Sequence, residues 1–141
     1  MRIVAKILIV DDEGDVVSLI KFLLEKDGHS VFTASNGVMA LETIGLDKNG
    51  ARRGEFVRFD LIILDVMMPL MDGYTASAKL SADPLARTIP IIVLTAKGGL
   101  QDIFAPASNV VAYLSKPFDP KKLRQTVADA LAKRLDGEGR P

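Results

Sequence analysis

"KILIVDDEGD", residues 6–15, runs four apolar residues, Ile7 to Val10, straight into the paired carboxylates of Asp11 and Asp12. A strand that is apolar at every position is covered on both faces, as the central strands of parallel sheets are. The same pattern returns in "DLIILDVMMP" (60–69), which reaches Asp65, and in "IPIIVLTA" (89–96), which reaches Thr95. Between these runs lie longer stretches of helical period, so the chain alternates strand and helix as a parallel α/β sheet requires. Strands are expected at Lys6 to Asp11, Ser30 to Ala34, Asp60 to Asp65, Ile91 to Thr95 and Val110 to Leu114. Helices are expected near 14–27, 36–46, 73–82, 98–108 and 120–135. "SVFTA" (30–34) mixes polar and apolar residues and reads as an edge strand. Asp119 followed by Pro120 is a helix start: the carboxylate accepts from free N–H groups, and proline sits where no N–H is needed.

The 141 residues are expected to form a single domain, with a core from about 6 to 135 and a polar tail at 136–141. Lys plus Arg and Asp plus Glu both total 18, so no overall field draws the chain to nucleic acid or to an acidic membrane. Without cysteine there is no disulfide, thiol nucleophile or Cys-type zinc site. Lys6 interrupts the apolar N-terminal stretch and Asp11 ends it, which argues against a secretory leader. A soluble cytoplasmic protein is expected, as a monomer or weak homodimer.

In an open parallel sheet the ligand site lies beyond the carboxyl ends of the strands. That places Asp11, Asp12, Asp65, Thr95 and Lys116 along one edge. Three carboxylates together repel unless a cation joins them, and a small, partly open oxygen site suits Mg2+. Lys116 can then pair with a phosphate and Thr95 can donate a hydroxyl. Phosphoryl transfer to a carboxylate needs little else, because the nucleophile is already ionised.

The stretches "ILIVDDE", "TASNGVMALE", "DLIILDVMMPLMDG", "IPIIVLTA" and "YLSKPFD" together resemble a response-regulator receiver domain of the chemotaxis-receiver type. The resemblance runs from Lys6 to about Arg134. It implies a doubly wound, flavodoxin-like three-layer sandwich with five parallel strands in the order 2-1-3-4-5. It implies that Asp65 accepts a phosphoryl group from a sensor histidine kinase or a histidine phosphotransfer protein. Asp11, Asp12, Asp65 and the carbonyl of Met67 would hold Mg2+, with Lys116 and Thr95 completing the catalytic group. Thr95 and Tyr113 would report phosphorylation to an unknown downstream protein, and the Lys116–Pro117 bond would be cis. Such a domain is a phosphoacceptor, catalysing only its own phosphorylation and slow dephosphorylation. Met67 and Lys97 would border the approach of a hydrolytic water.

Other readings stand beside this one. A receiver-like interaction module could have an output independent of phosphorylation. A haloacid-dehalogenase-type phosphatase also uses a strand-end aspartate, but wants a second one two positions on, where this chain has Met67. Asp11 or Asp12 could cap the helix beginning near Glu13, Asp72 reads as a cap or turn residue, and His29 as a surface turn residue. The basic stretch "DKNGARRGEFVRF" (47–59) reads as a solvated loop or as a contact for an acidic partner. "SNVVAYL" (108–114) departs from the Gly-Ala and acidic residues usual in the family, and between Lys97 and Asn109 a helix of at most two turns is expected to end before Pro106.

Overall fold

The computed structural model describes residues 4–96 and 109–138. The helix expected over 98–108, its end before Pro106, and Lys97 lie outside the described residues. Five parallel strands form one sheet: β1 (Lys6–Val10), β2 (Ser30–Ala34), β3 (Leu61–Asp65), β4 (Ile91–Thr95) and β5 (Val110–Ser115). Their order is β2-β1-β3-β4-β5, as expected, with β2 on one edge. Four helices among the described residues connect or follow them: α1 (Gly14–Lys26), α2 (Gly37–Ile44), α3 (Gly73–Ala82) and α4 (Pro120–Glu138).

The double-faced apolar strands are explained by what covers each face. Successive strand side chains point to opposite faces. Leu8, Val10, Ile62, Leu64, Ile91 and Val93 pack with Ala40, Leu41 and Ile44 of α2 and with Ala76 and Leu80 of α3. Ile7, Ile9, Leu61, Ile63, Ile92 and Leu94 pack with Ile20 and Leu24 of α1 and with Leu123, Val127 and Leu131 of α4. The result is three layers, with β1, β3 and β4 buried from both sides. At the start of α4, Asp119 accepts from the Lys121 N–H at 3.0 Å, the cap that its sequence indicates.

Two connections carry more structure than their sequence suggests. His29 is half-buried, and its Nδ1 accepts from the Ala5 N–H at 3.1 Å, so it ties the turn before β2 to the residue ahead of β1. The 47–59 stretch is a folded buttress rather than a solvated loop. Arg52 makes a two-pronged bond to the buried Asp83, at 2.8 and 2.9 Å, and its guanidinium lies over the Phe56 ring. Arg53 pairs with Glu42, and Arg58 donates to Thr88 Oγ1. Three of its cations are thus engaged within the domain. Phe59 is fully buried, edge-on to Phe32, and Lys6 Nζ lies 5.0 and 4.8 Å above those two rings.

Candidate functional site

The carboxyl ends of β1 and β3 and the residue after β5 converge on a small acidic pocket. Lys116 Nζ lies 2.8 Å from Asp11 Oδ2, 2.9 Å from Glu13 Oε1 and 3.3 Å from Asp65 Oδ1. The lysine is held there by its backbone, because its N–H donates to the Thr95 carbonyl at 2.6 Å. Its bond to Pro117 is cis. Asp11 is divided between two tasks: Oδ1 accepts from the Glu13 N–H at 2.9 Å, which fastens the start of α1, while Oδ2 faces the lysine. The Oδ2 contact is a charge pairing, and no hydrogen bond reaches that buried oxygen. One carboxylate oxygen each from Asp11, Glu13 and Asp65 lies within 4.8 Å of the others. Three carboxylates and a buried oxygen lacking a donor fit a hard, oxygen-liganded cation.

Burial pushes the Asp65 carboxyl up to about 6, the neighbouring Asp11 charge adds to this, and Lys116 works against both. Burial also acts to lower the Lys116 pKa, but its bonds to Asp11 and Glu13 and the charge of Asp65 outweigh it and hold the ammonium above the ordinary lysine value. Ionised Asp65 therefore strains the metal-free fold. Between its unfolded value near 3.8 and its folded value near 6, the folded state binds the extra proton, so stability falls as pH rises through that window. The shift sets a ceiling of roughly 3 kcal/mol, and water at the pocket mouth reduces it to about 1–2 kcal/mol. Asp65→Asn should therefore melt later in urea than the parent by that amount at pH 8 in EDTA, with no difference below pH 4. Equal midpoints at pH 8 would mean that Asp65 is fully compensated without metal.

The segment from Val66 to Gly73 holds Asp65 in place by close backbone packing. The Gly73 N–H donates to the Val66 carbonyl at 2.8 Å, and the Gly37 N–H to the Met71 carbonyl at 3.1 Å. A Cβ on Gly37 would lie 2.8 Å from the Met71 carbonyl oxygen, so α2 can approach this segment only through glycine. Asp72 Oδ1 accepts from the Thr75 N–H at 2.6 Å and caps α3. Met71 N–H closes a three-residue turn onto the Pro69 carbonyl, with Leu70 at its centre at φ 68°. That backbone is strained for leucine, and its side chain is 84% exposed, so packing repays little. Leu70→Gly should raise stability by about 1 kcal/mol in denaturant melts, and a loss would mean the leucine makes a contact worth more than the strain.

The family model described as the response regulator receiver domain matches residues 7–128. The chain is a response-regulator receiver domain. It is 31% identical over 129 residues to protein PilH of Pseudomonas aeruginosa, covering 91% of this chain and 98% of that protein. It is 37% identical over 123 residues to the alkaline phosphatase synthesis transcriptional regulatory protein PhoP of Bacillus subtilis, covering 86% of this chain but 46% of PhoP. The chain spans about half the length of several such curated relatives. A crystal structure of a response regulator from Chloroflexus aurantiacus superimposes with a TM-score of 0.77 at 35% identity, over 91% of this chain and 98% of that one. The receiver domain of a Pseudomonas aeruginosa sensor histidine kinase, 26% identical with a TM-score of 0.77, covers 92% of this chain and 99% of its own, and was solved with magnesium in its active-site cleft.

Within this receiver the expected site residues are not all drawn together. Asp11, Asp65 and Lys116 are in mutual contact, and Thr95 is buried at the end of β4 beside them. Asp12 is exposed and stands outside the carboxylate group, whose third member is Glu13. The acidic pair thus reads in the structure as an alternation, Asp11 and Glu13. An acidic residue two positions beyond Asp11 was the signal, since the chain turns into α1 there. The Met67 side chain is 72% exposed, so only its backbone carbonyl is placed for a role at the pocket. Tyr113 lies half-buried on β5 opposite Val93, packed against the face that α2 and α3 cover. No described helix is long and apolar enough to cross a membrane.

Proposed function

We propose that this receiver is a phosphorylation-operated switch, working in the cytoplasm, which takes a phosphoryl group onto Asp65 and passes the signal on by protein–protein contact. The donor would be a phosphohistidine on a sensor histidine kinase or a histidine phosphotransfer protein. The observation that carries this reading is a carboxylate buried at the end of β3 with an ammonium 3.3 Å away and further carboxylates beside it. An Asp65 oxygen attacks phosphorus, the phosphorus–nitrogen bond breaks, and the imidazole leaves with the electron pair. Asp11, Asp12, Asp65 and the Met67 carbonyl, with Glu13 now added, are the groups that would hold Mg2+, which neutralises charge on phosphoryl oxygens when bound. Lys116, already shared among three carboxylates, can turn to a phosphate oxygen with little movement. Thr95 supplies a hydroxyl donor at the same edge, and Tyr113 on the next strand is the route by which its movement would reach the surface.

Acetyl phosphate with Mg2+ should give one labile adduct by mass spectrometry, on Asp65, and Asp65→Asn should give none. An adduct on another residue would remove Asp65 from this role. No adduct under any donor would favour the alternative, an interaction module whose output is independent of phosphorylation.

A further inference from the structure

At the other end of the sheet from Asp65 lies a cavity of about 320 Å3, lined by Arg87, Pro90, Asn109, Val111, Ala130 and Lys133. Asn109 immediately precedes β5 and is only 5% exposed. Its carbonyl accepts from the Ile91 N–H at 2.8 Å, and its Nδ2 donates to the Ile89 carbonyl at 3.4 Å. Oδ1 is left as a buried acceptor with no donor. Buried polar side chains nearly always have partners, so an acceptor without one in a cavity wall points to a donor that enters from outside. At the rim, Arg87 and Lys133 are exposed and form no ion pair among the described residues, whereas Arg52, Arg53 and Arg124 are each committed to a carboxylate. Pro90, Val111 and Ala130 supply an apolar wall. Val111 is available for it because the β4–β5 register shifts, pairing Ile91 with Val110 and Ile92 with Ala112 and leaving Val111 over.

We infer that this cavity binds a small organic anion: its acid group pairs with Arg87 and Lys133, its body lies on the apolar wall, and an N–H or O–H at its far end donates to Asn109 Oδ1. The volume is at the lower end of the range usual for small-molecule sites, roughly 300–1,000 Å3. The ligand would touch the residues entering β4 and β5 together with α4, and its binding does not rest on phosphorylation of Asp65.

The test is an amide-resolved NMR titration of the full chain with 4-hydroxybenzoate, which carries acid and donor, against benzoate, which lacks the donor. Saturable shifts centred on Ile89, Asn109 and Val111 are expected, with 4-hydroxybenzoate binding about tenfold more tightly, as expected when a buried acceptor gains its donor. Asn109→Leu should erase that difference. Arg87→Gln combined with Lys133→Gln, both at exposed positions, should weaken both acids about tenfold and leave the remaining spectrum intact. Should Asn109→Leu not fold, phenol replaces it: in the double variant 4-hydroxybenzoate should lose its advantage over phenol. Equal affinity of the two acids in the parent, absence of saturation, or a water retained on Asn109 Oδ1 in the complex would overturn the assignment.

Discussion

Lys116→Met should destabilise the metal-free domain by about 3 kcal/mol at pH 8, the low end of the range for a buried charge stripped of its partner. The side chain of Asp11 is fully buried and that of Asp65 nearly so, and Lys116 Nζ is within 3.3 Å of both. Methionine keeps the length of the stem and removes the charge, so packing changes little and the loss reports electrostatics. The pH dependence distinguishes this from a packing defect. Lys116 works against the upward push that burial gives Asp65, so without it Asp65 takes up its proton at higher pH than the parent's value near 6. Protonation removes the stranded charge, and the gap between variant and parent should close as pH falls toward 4. Mg2+ should narrow the gap at pH 8 as well, because a cation can then occupy the place the ammonium has left. A gap independent of pH would mean that Lys116 stabilises through its stem alone.

The strand ends were legible in the sequence because they obey local rules. Apolar runs on both faces marked β1, β3 and β4 as central, and the polar residue that ends each run marked the same edge of the sheet. Asp11, Asp65, Thr95 and Lys116 could therefore be placed together before any geometry was known. What could not be read was how the charges divide. Three carboxylates called for a cation, and Lys116 was assigned to an incoming phosphate. In the metal-free fold the lysine itself serves as that cation, and Glu13 rather than exposed Asp12 completes its ligands. That outcome depends on the turn of the chain from β1 into α1, which sequence spacing does not specify.

The 47–59 stretch was misread for a related reason. Its arginines looked like a free basic surface because their partners, Glu42, Asp83 and Thr88, lie in other elements. Asp83 carries no local mark of a binding role, yet one carboxylate holds Arg52 and accepts from the Leu85 and Ala86 N–H groups. His29 was read as a surface residue for want of any sign that Ala5 would need an acceptor. Pairings across 24 to 31 residues are set by the packed fold, whereas strand periodicity is written in the strand itself.

Gly73→Ala should cost roughly 3 kcal/mol, the upper end for overpacking, although it adds one methyl group to a helix where alanine is otherwise favoured. The added Cβ would overlap the Asp65 carbonyl oxygen and lie 2.9 Å from the carbonyl carbon and 3.1 Å from Val66 Cα. All three are backbone atoms, and two belong to the residue that bears the reactive carboxylate. Neither a rotamer change nor a side-chain shift relieves the clash, so either α3 moves outward or the end of β3 does. Outward movement of α3 would break the 2.8 Å bond from the Gly73 N–H to the Val66 carbonyl and pull Ala76 and Leu80 from the core. Movement of β3 would displace Asp65 from Lys116. The Asp72 cap offers no remedy, since it sits on the same turn. Denaturant melts measure the total cost, and the rate of labelling by acetyl phosphate shows which element yields: a slowed rate in the folded variant means β3 has shifted, an unchanged rate means α3 has. A stable variant that labels normally would show that the two backbones can separate freely, and that glycine at this position is not what seats Asp65.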